Sequence, residues 1–136
     1  MTAPPSASVR SAGRRRLLTL AKFLDERVPR ARFSLVSWAR EREFKQRACG
    51  TVACACGWAT TIREFKNAGL SLEMGEPLYE TKTNTFDGWE AIENFFALTH
   101  EQATRLFSYT MYAEGNNGPD AVAERIRAFV KSGRRR

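Results

Sequence analysis

Cys49, Cys54, Cys56 and the single histidine, His100, supply the donor atoms of a zinc site, and equally a thiol nucleophile with its base. The spacing argues against zinc. Zinc ligands come in close pairs two to four residues apart on a flexible knuckle, whereas Cys54 and Cys56 on a regular helix point about 200° apart. They face one ion only if that turn is irregular. Cysteines set among Ala53, Ala55, Gly57 and Ala59 behave as compact hydrophobes, so packing is the expected role and no metal or other cofactor is expected. For thiol catalysis, a helix N-terminus would lower the pKa of Cys49 or Cys54 and His100 would act as base. No third group orients the imidazole, and no catalytic residue is assigned. The chain carries no phosphate-cradling glycine loop, nucleotide fingerprint or metalloprotease helix motif, so the balance lies against an enzyme.

Carboxylates crowd a second region, at Glu73, Glu76, Glu80, Asp87, Glu90 and Glu93. Asp87 and Glu90 read as a capping-box pair that opens a helix, and the rest as a solvated acidic face. Such a face would also accept the basic half of a second copy, giving self-association through opposite charges. The basic groups carry the easiest functional argument. Arg14, Arg15, Arg16, Arg27, Arg30, Arg32, Arg40, Arg42, Lys45 and Arg47 surround the first helix and the charged stretch after it, and Arg134, Arg135 and Arg136 end the chain. Such groups neutralise phosphates and give salt-dependent, weakly selective affinity for nucleic acid. A basic surface with no polyanion partner is the competing explanation. No helix-turn-helix, zinc-finger or aromatic RNA-platform signature points to base reading.

The charge is unevenly distributed. Residues 1–50 hold twelve Lys and Arg against four acids, residues 51–124 hold four against eleven, and residues 125–136 hold six against none, within a net charge of +7. Three cysteines in no paired framework argue against a disulfide-stapled secreted module and for a reducing compartment. Lys22 and Asp25 interrupt the apolar run after Arg14–Arg16 too soon for a secretory signal, and no segment has the length of a membrane span, so no membrane partner is expected. An Arg- and Ser-rich start without an acid before Asp25 fits an organelle transit peptide as a minor alternative.

The elements that must position these groups follow from apolar spacing and from caps. A chain of 136 residues, 43% hydrophobic, supports one core. The expected fold is mainly α (α+β), with about five helices round a central buried helix over 52–68 and a small β-hairpin near 70–86. Residues 1–12 read as a disordered tail, 13–131 as one globular domain and 132–136 as a basic tail. Leu17, Leu20, Ala21, Leu24 and Val28 place a first helix over 13–27, closed by Pro29. Thr51 is positioned to cap the central helix and Gly69 to end it. Leu70, Leu72 and Met74, then Tyr79, Thr81, Thr83 and Thr85, alternate as strands. Asp87 opens a helix with Trp89, Ile92, Phe95 and Phe96 inward, and a Thr99/Gln102 box opens another carrying Ala103, Leu106 and Phe107. Pro119 starts a last helix that buries Val122, Ile126, Phe129 and Val130 and presents Arg125, Arg127 and Lys131.

The run Cys49-Gly50-Thr51-Val52-Ala53-Cys54-Ala55-Cys56-Gly57-Trp58-Ala59 resembles a C-G-T-x-x-C-x-x-G-[WH]-A pattern of small uncharacterised proteins met in bacteriophages and prophage-bearing bacteria. Cys56 falls at an unrestricted position of that pattern. The segment from Phe95 to Phe107 is similar to a second recurring stretch of such proteins. The resemblance implies a bacterial or phage setting, and hence the cytoplasm of a bacterial host cell, and it brings no activity or catalytic residue. Three functional expectations result: a non-enzymatic module contacting nucleic acid or a nucleoprotein, a phage-type protein that binds and inhibits or modulates a host bacterial protein such as a defence or regulatory factor, and a small Cys/His metal-site protein.

Overall fold

Apolar residues spaced three and four apart build the first element, α1, over Ala7–Arg27. Leu17, Leu20, Ala21 and Leu24 form its inward stripe, and Val28 beyond its end is buried too. The computed structural model describes residues 7–29, 33, 54–73, 76–113 and 115–133. The helix starts six residues before the expected position. Ala7 to Arg10 are exposed, so the first turn carries no buried apolar stripe, while its alanine and arginine favour helix intrinsically.

The expected continuous helix over 52–68 is instead two short helices, α2 (Ala55–Ala59) and α3 (Arg63–Asn67). Thr60 and Thr61 turn their hydroxyls back onto Gly57 O and Trp58 O, each at 2.6 Å. Those bonds supply the backbone with an alternative to the helical ladder, and a run of three β-branched residues ending at Ile62 is already a poor helix former. All five residues of α2 are buried, so the centre of the core lies where expected although the helix is broken. The residue before α2 is Cys54, and no side-chain hydrogen bond caps it; the expected cap at Thr51 lies outside the described residues. Gly69 takes φ +110° after α3, and a Cβ there would meet Glu80 O at 2.2 Å, so both backbone conformation and the adjoining strand demand glycine.

Three strands follow rather than two: β1 (Leu70–Glu73), β2 (Glu76–Glu80) and β3 (Thr85–Asp87), an antiparallel meander in the order β1-β2-β3. Leu70 pairs with Tyr79, and Tyr79 with Phe86. The alternating Thr81 and Thr83 belong to the turn between β2 and β3, where Thr81 Oγ1 accepts the Asn84 N–H at 3.0 Å.

Asp87 leads into α4 (Gly88–Phe96), but its side chain makes no capping bond, since the residue is still in β3 and the chain turns into the helix through Gly88 at φ +57°. The α5 helix (His100–Phe107) has the complete Thr99/Gln102 capping box. A 3-10 turn over Tyr109–Met111 leads to α6 (Pro119–Gly133), with Pro119 at its first position. Mainly helical with a small antiparallel sheet, the described chain packs six α-helices, α1 and α6 in the most extensive pairing.

Aromatic rings fill the middle. Phe65 of α3 meets Phe95 and Phe96 of α4 edge-on at 4.9 and 5.9 Å, and Tyr79 of β2 meets Phe95 at 5.1 Å. Edge-to-face pairs add attraction beyond area burial. α1 joins this cluster at Gly13, where a Cβ would stand 2.2 Å from Phe96 O. Glycine there lets α1 rest on the backbone that ends α4.

Candidate nucleic-acid interface

α1 carries six basic residues against two acids, and the fold sorts the basic ones into two groups. Arg16 turns inward. Its guanidinium donates to Phe95 O at 2.8 Å and lies 4.1 Å above the Phe95 ring. Phe95 O is among the carbonyls that end α4, where the helix dipole favours a cation. Arg125 of α6 repeats the device, donating to Arg105 O at 3.0 Å and Met111 O at 2.7 Å over the Tyr112 ring. Arg125 is therefore folded back against α5 rather than presented outward as expected. Arg127 is exposed but pairs with Asp25 at 2.6 Å.

The second group faces solvent. Arg15, Lys22 and Arg27 are exposed and Arg14 is half-buried. At about 100° per residue, Arg10, Arg14, Arg15 and Lys22 fall within an arc of about 140° on α1. Arg16 lies on the far flank from Arg14, so the arginine triplet does not act as a unit. Arg10 and Lys22 were not singled out from sequence, because Arg10 read as tail and Lys22 as an interruption of an apolar run; the length of the helix is what aligns them. Arg30, Arg32, Arg40, Arg42, Lys45, Arg47 and Arg134–Arg136 lie outside the described residues.

The cysteines behave differently from two side chains on a regular helix. Cys54, at φ −78° and ψ 176°, precedes α2 in extended conformation, which brings its sulfur against that of Cys56. The irregular turn that a shared role requires is thus present. Burial pushes the Cys54 thiol up, but the Cys56 thiol and the nearby N–H groups of Gly57 and Cys56 outweigh it and hold Cys54 below the ordinary value. Burial and the neighbouring Cys54 push Cys56 well above it. Both residues are core groups, 4% and 0% exposed. Cys49 lies outside the described residues.

His100 stands elsewhere in kind, at the exposed start of α5. Its Nδ1 is 2.7 Å from Glu93 Oε2, and its ring meets Trp89 edge-on at 6.2 Å. Glu93 is the orienting carboxylate that the sequence did not reveal: the two residues are seven apart, and the link between α4 and α5, through Ala97 at φ 56°, brings them together. With the imidazole 71% exposed and the Cys54 and Cys56 thiols in the core, nucleophile, base and orienter do not come together among the described residues. Among the described residues no three metal-binding side chains gather. A cleft of about 490 Å³ beside β1 includes Thr60, Thr61, Lys66 and Glu80 in its wall, but the two hydroxyls are committed to backbone carbonyls. No described helix is long and apolar enough to cross a membrane. Comparison of the chain with protein-family models, with curated proteins and with solved structures finds no match.

Proposed function

We propose that the protein is a non-enzymatic binding module that contacts nucleic acid or a nucleoprotein through the basic arc of α1, in the cytoplasm of a bacterial host cell. The supporting observation is the charge of α1 as folded. The helix has no acid in its first turn, and Asp25, one of its two acids, is neutralised by Arg127 of α6. Arg14, Arg15 and Lys22 have no ion-pair partner among the described residues. Cations in the first half of a helix oppose its dipole, and like charges one turn apart repel, so packing holds this helix in spite of its charge. A polyanion on that face relieves both terms. Gel shift across a salt series tests the proposal: a retarded complex that weakens steeply with salt is expected, and no complex at about 20 mM salt overturns it.

A second function, modulation of a host bacterial protein, draws support from the acidic face. Glu76, Asp87 and Glu90 are exposed, and Glu76 Oε1 lies beside Gly88, which brings β2 and the start of α4 together. The phage-like sequence pattern agrees with such a role. A single partner identified from nuclease-treated bacterial lysate, and lost on Glu76→Lys with Glu90→Lys, supports it; retention by that charge-reversed variant overturns it.

A further inference from the structure

We infer that the α1 arc binds double-stranded nucleic acid through its phosphates alone, without reading sequence, an inference that rests on the binding role proposed above. Phosphate contacts are made by Arg, Lys, Ser and Thr, whereas single strands are held by bases stacked on aromatic rings. Along the outer side of α1 from its start to Lys22 the exposed polar positions are Ser8, Arg10, Arg15 and Lys22, flanked by half-buried Ser11, Arg14 and Thr19, and the exposed acids Asp25 and Glu26 follow only in the last turn. All these polar positions up to Lys22 are phosphate-binding types. The aromatic ring of this helix, Phe23, is half-buried and packs against Trp58 at 6.4 Å, so it is withdrawn from stacking.

The spacing suits a duplex. Arg15 and Lys22 stand two helical turns apart, about 10.5 Å along the axis, close to the roughly 12 Å width of a major groove. Arg10 and Arg14 stand one turn apart, about 6 Å. Gly13 seats the helix on Phe96 and Asp25 ties it to α6, so the fold fixes where these groups stand on the surface. Cations held at that spacing on a rigid flank meet backbone phosphates on the groove edges and leave the base edges unread.

Fluorescence anisotropy on the full chain tests this with an A·T-rich duplex, a G·C-rich duplex and oligo(dT), each of about twenty nucleotides per strand. The two duplexes are expected to bind within about 2-fold of each other and oligo(dT) at least 5-fold more weakly. The combined Arg14→Ala, Arg15→Ala and Lys22→Ala variant is expected to flatten the log-log salt slope by about two to three, at about 0.9 per phosphate contact. Circular dichroism verifies that it folds. A preference above about 10-fold between the duplexes, oligo(dT) binding as tight as duplex, or an unchanged salt slope overturns the inference, although binding itself would stand. Absence of binding to all three probes overturns both the inference and the proposed function.

Discussion

α1 and the α4–α5 pair both lay leucine or phenylalanine faces on one core, yet they are held by different means. The second pair is specified locally: Thr99 and Gln102 cap α5 reciprocally, Glu101 sits in its first turn and Arg105 in its last, and Ala97 makes a left-handed turn between the helices. Its charges agree with the helix dipoles. α1 has no acid in its first turn and basic residues through its first half, so its charges oppose the dipole and tertiary packing must supply the stability. Arg14, Arg15 and Lys22, which unlike Arg16 and Asp25 make no such tie to the rest of the fold among the described residues, are available for a partner. The contrast extends to individual arginines. Arg16 and Arg125 each close the carboxyl end of a neighbouring helix over an aromatic ring, while Arg15, next to Arg16, does nothing comparable.

Breaking the seat of α1 is expected to have the largest effect. Gly13→Ala places a Cβ against Phe96 O and should cost about 3 kcal/mol in chemical denaturation, despite alanine's better helix propensity, because a backbone carbonyl cannot step aside. Arg16→Ala removes a charged hydrogen bond and a ring contact and should cost about 1–2 kcal/mol by the same measurement. Thr99→Ala tests the locally specified helix and should cost about 1 kcal/mol. Burial pushes the Tyr112 phenol up to about 12, although the Arg125 charge opposes the rise. Its folded-state value lies above the ordinary 10.0, so its contribution is complete below pH 10 and is lost as pH rises toward about 12; thermal melts across that range should show a falling midpoint. Arg15→Ala should change stability by less than about 0.5 kcal/mol while weakening nucleic-acid binding, the reverse of Arg16→Ala. Equal stability losses for the two arginines would erase the distinction between them.

The inward faces were legible because a buried stripe leaves a period in the sequence. Leu17, Leu20, Leu24, Ile92, Phe95, Leu106, Val122 and Ile126 are all buried as their spacing implied. The Thr99 cap and Pro119 were legible because each needs only neighbours three or four residues away. The first turns of α1 were not, since an exposed helix surface has no apolar pattern. The break after Ala59 was hidden because a threonine hydroxyl competes with the helix only where the surrounding core favours the broken path. The candidate site was half visible. Arg14, Arg15 and Arg16 look alike in sequence, and nothing local tells which of them faces a carbonyl on another helix.

Composition and periodicity by themselves established a basic, mainly helical chain, the faces that go inside, the small sheet and the starts of α4, α5 and α6, because those depend on short-range chemistry and on the cost of exposing apolar surface. Three matters needed the folded arrangement: the meeting of the Cys54 and Cys56 sulfurs, the pairing of His100 with Glu93, and the division of arginines into those that close helices and those that face solvent. Each depends on where chain segments distant in sequence or irregular in backbone come to lie. A side chain's charge is written in the sequence, but its partner is chosen by the packing around it.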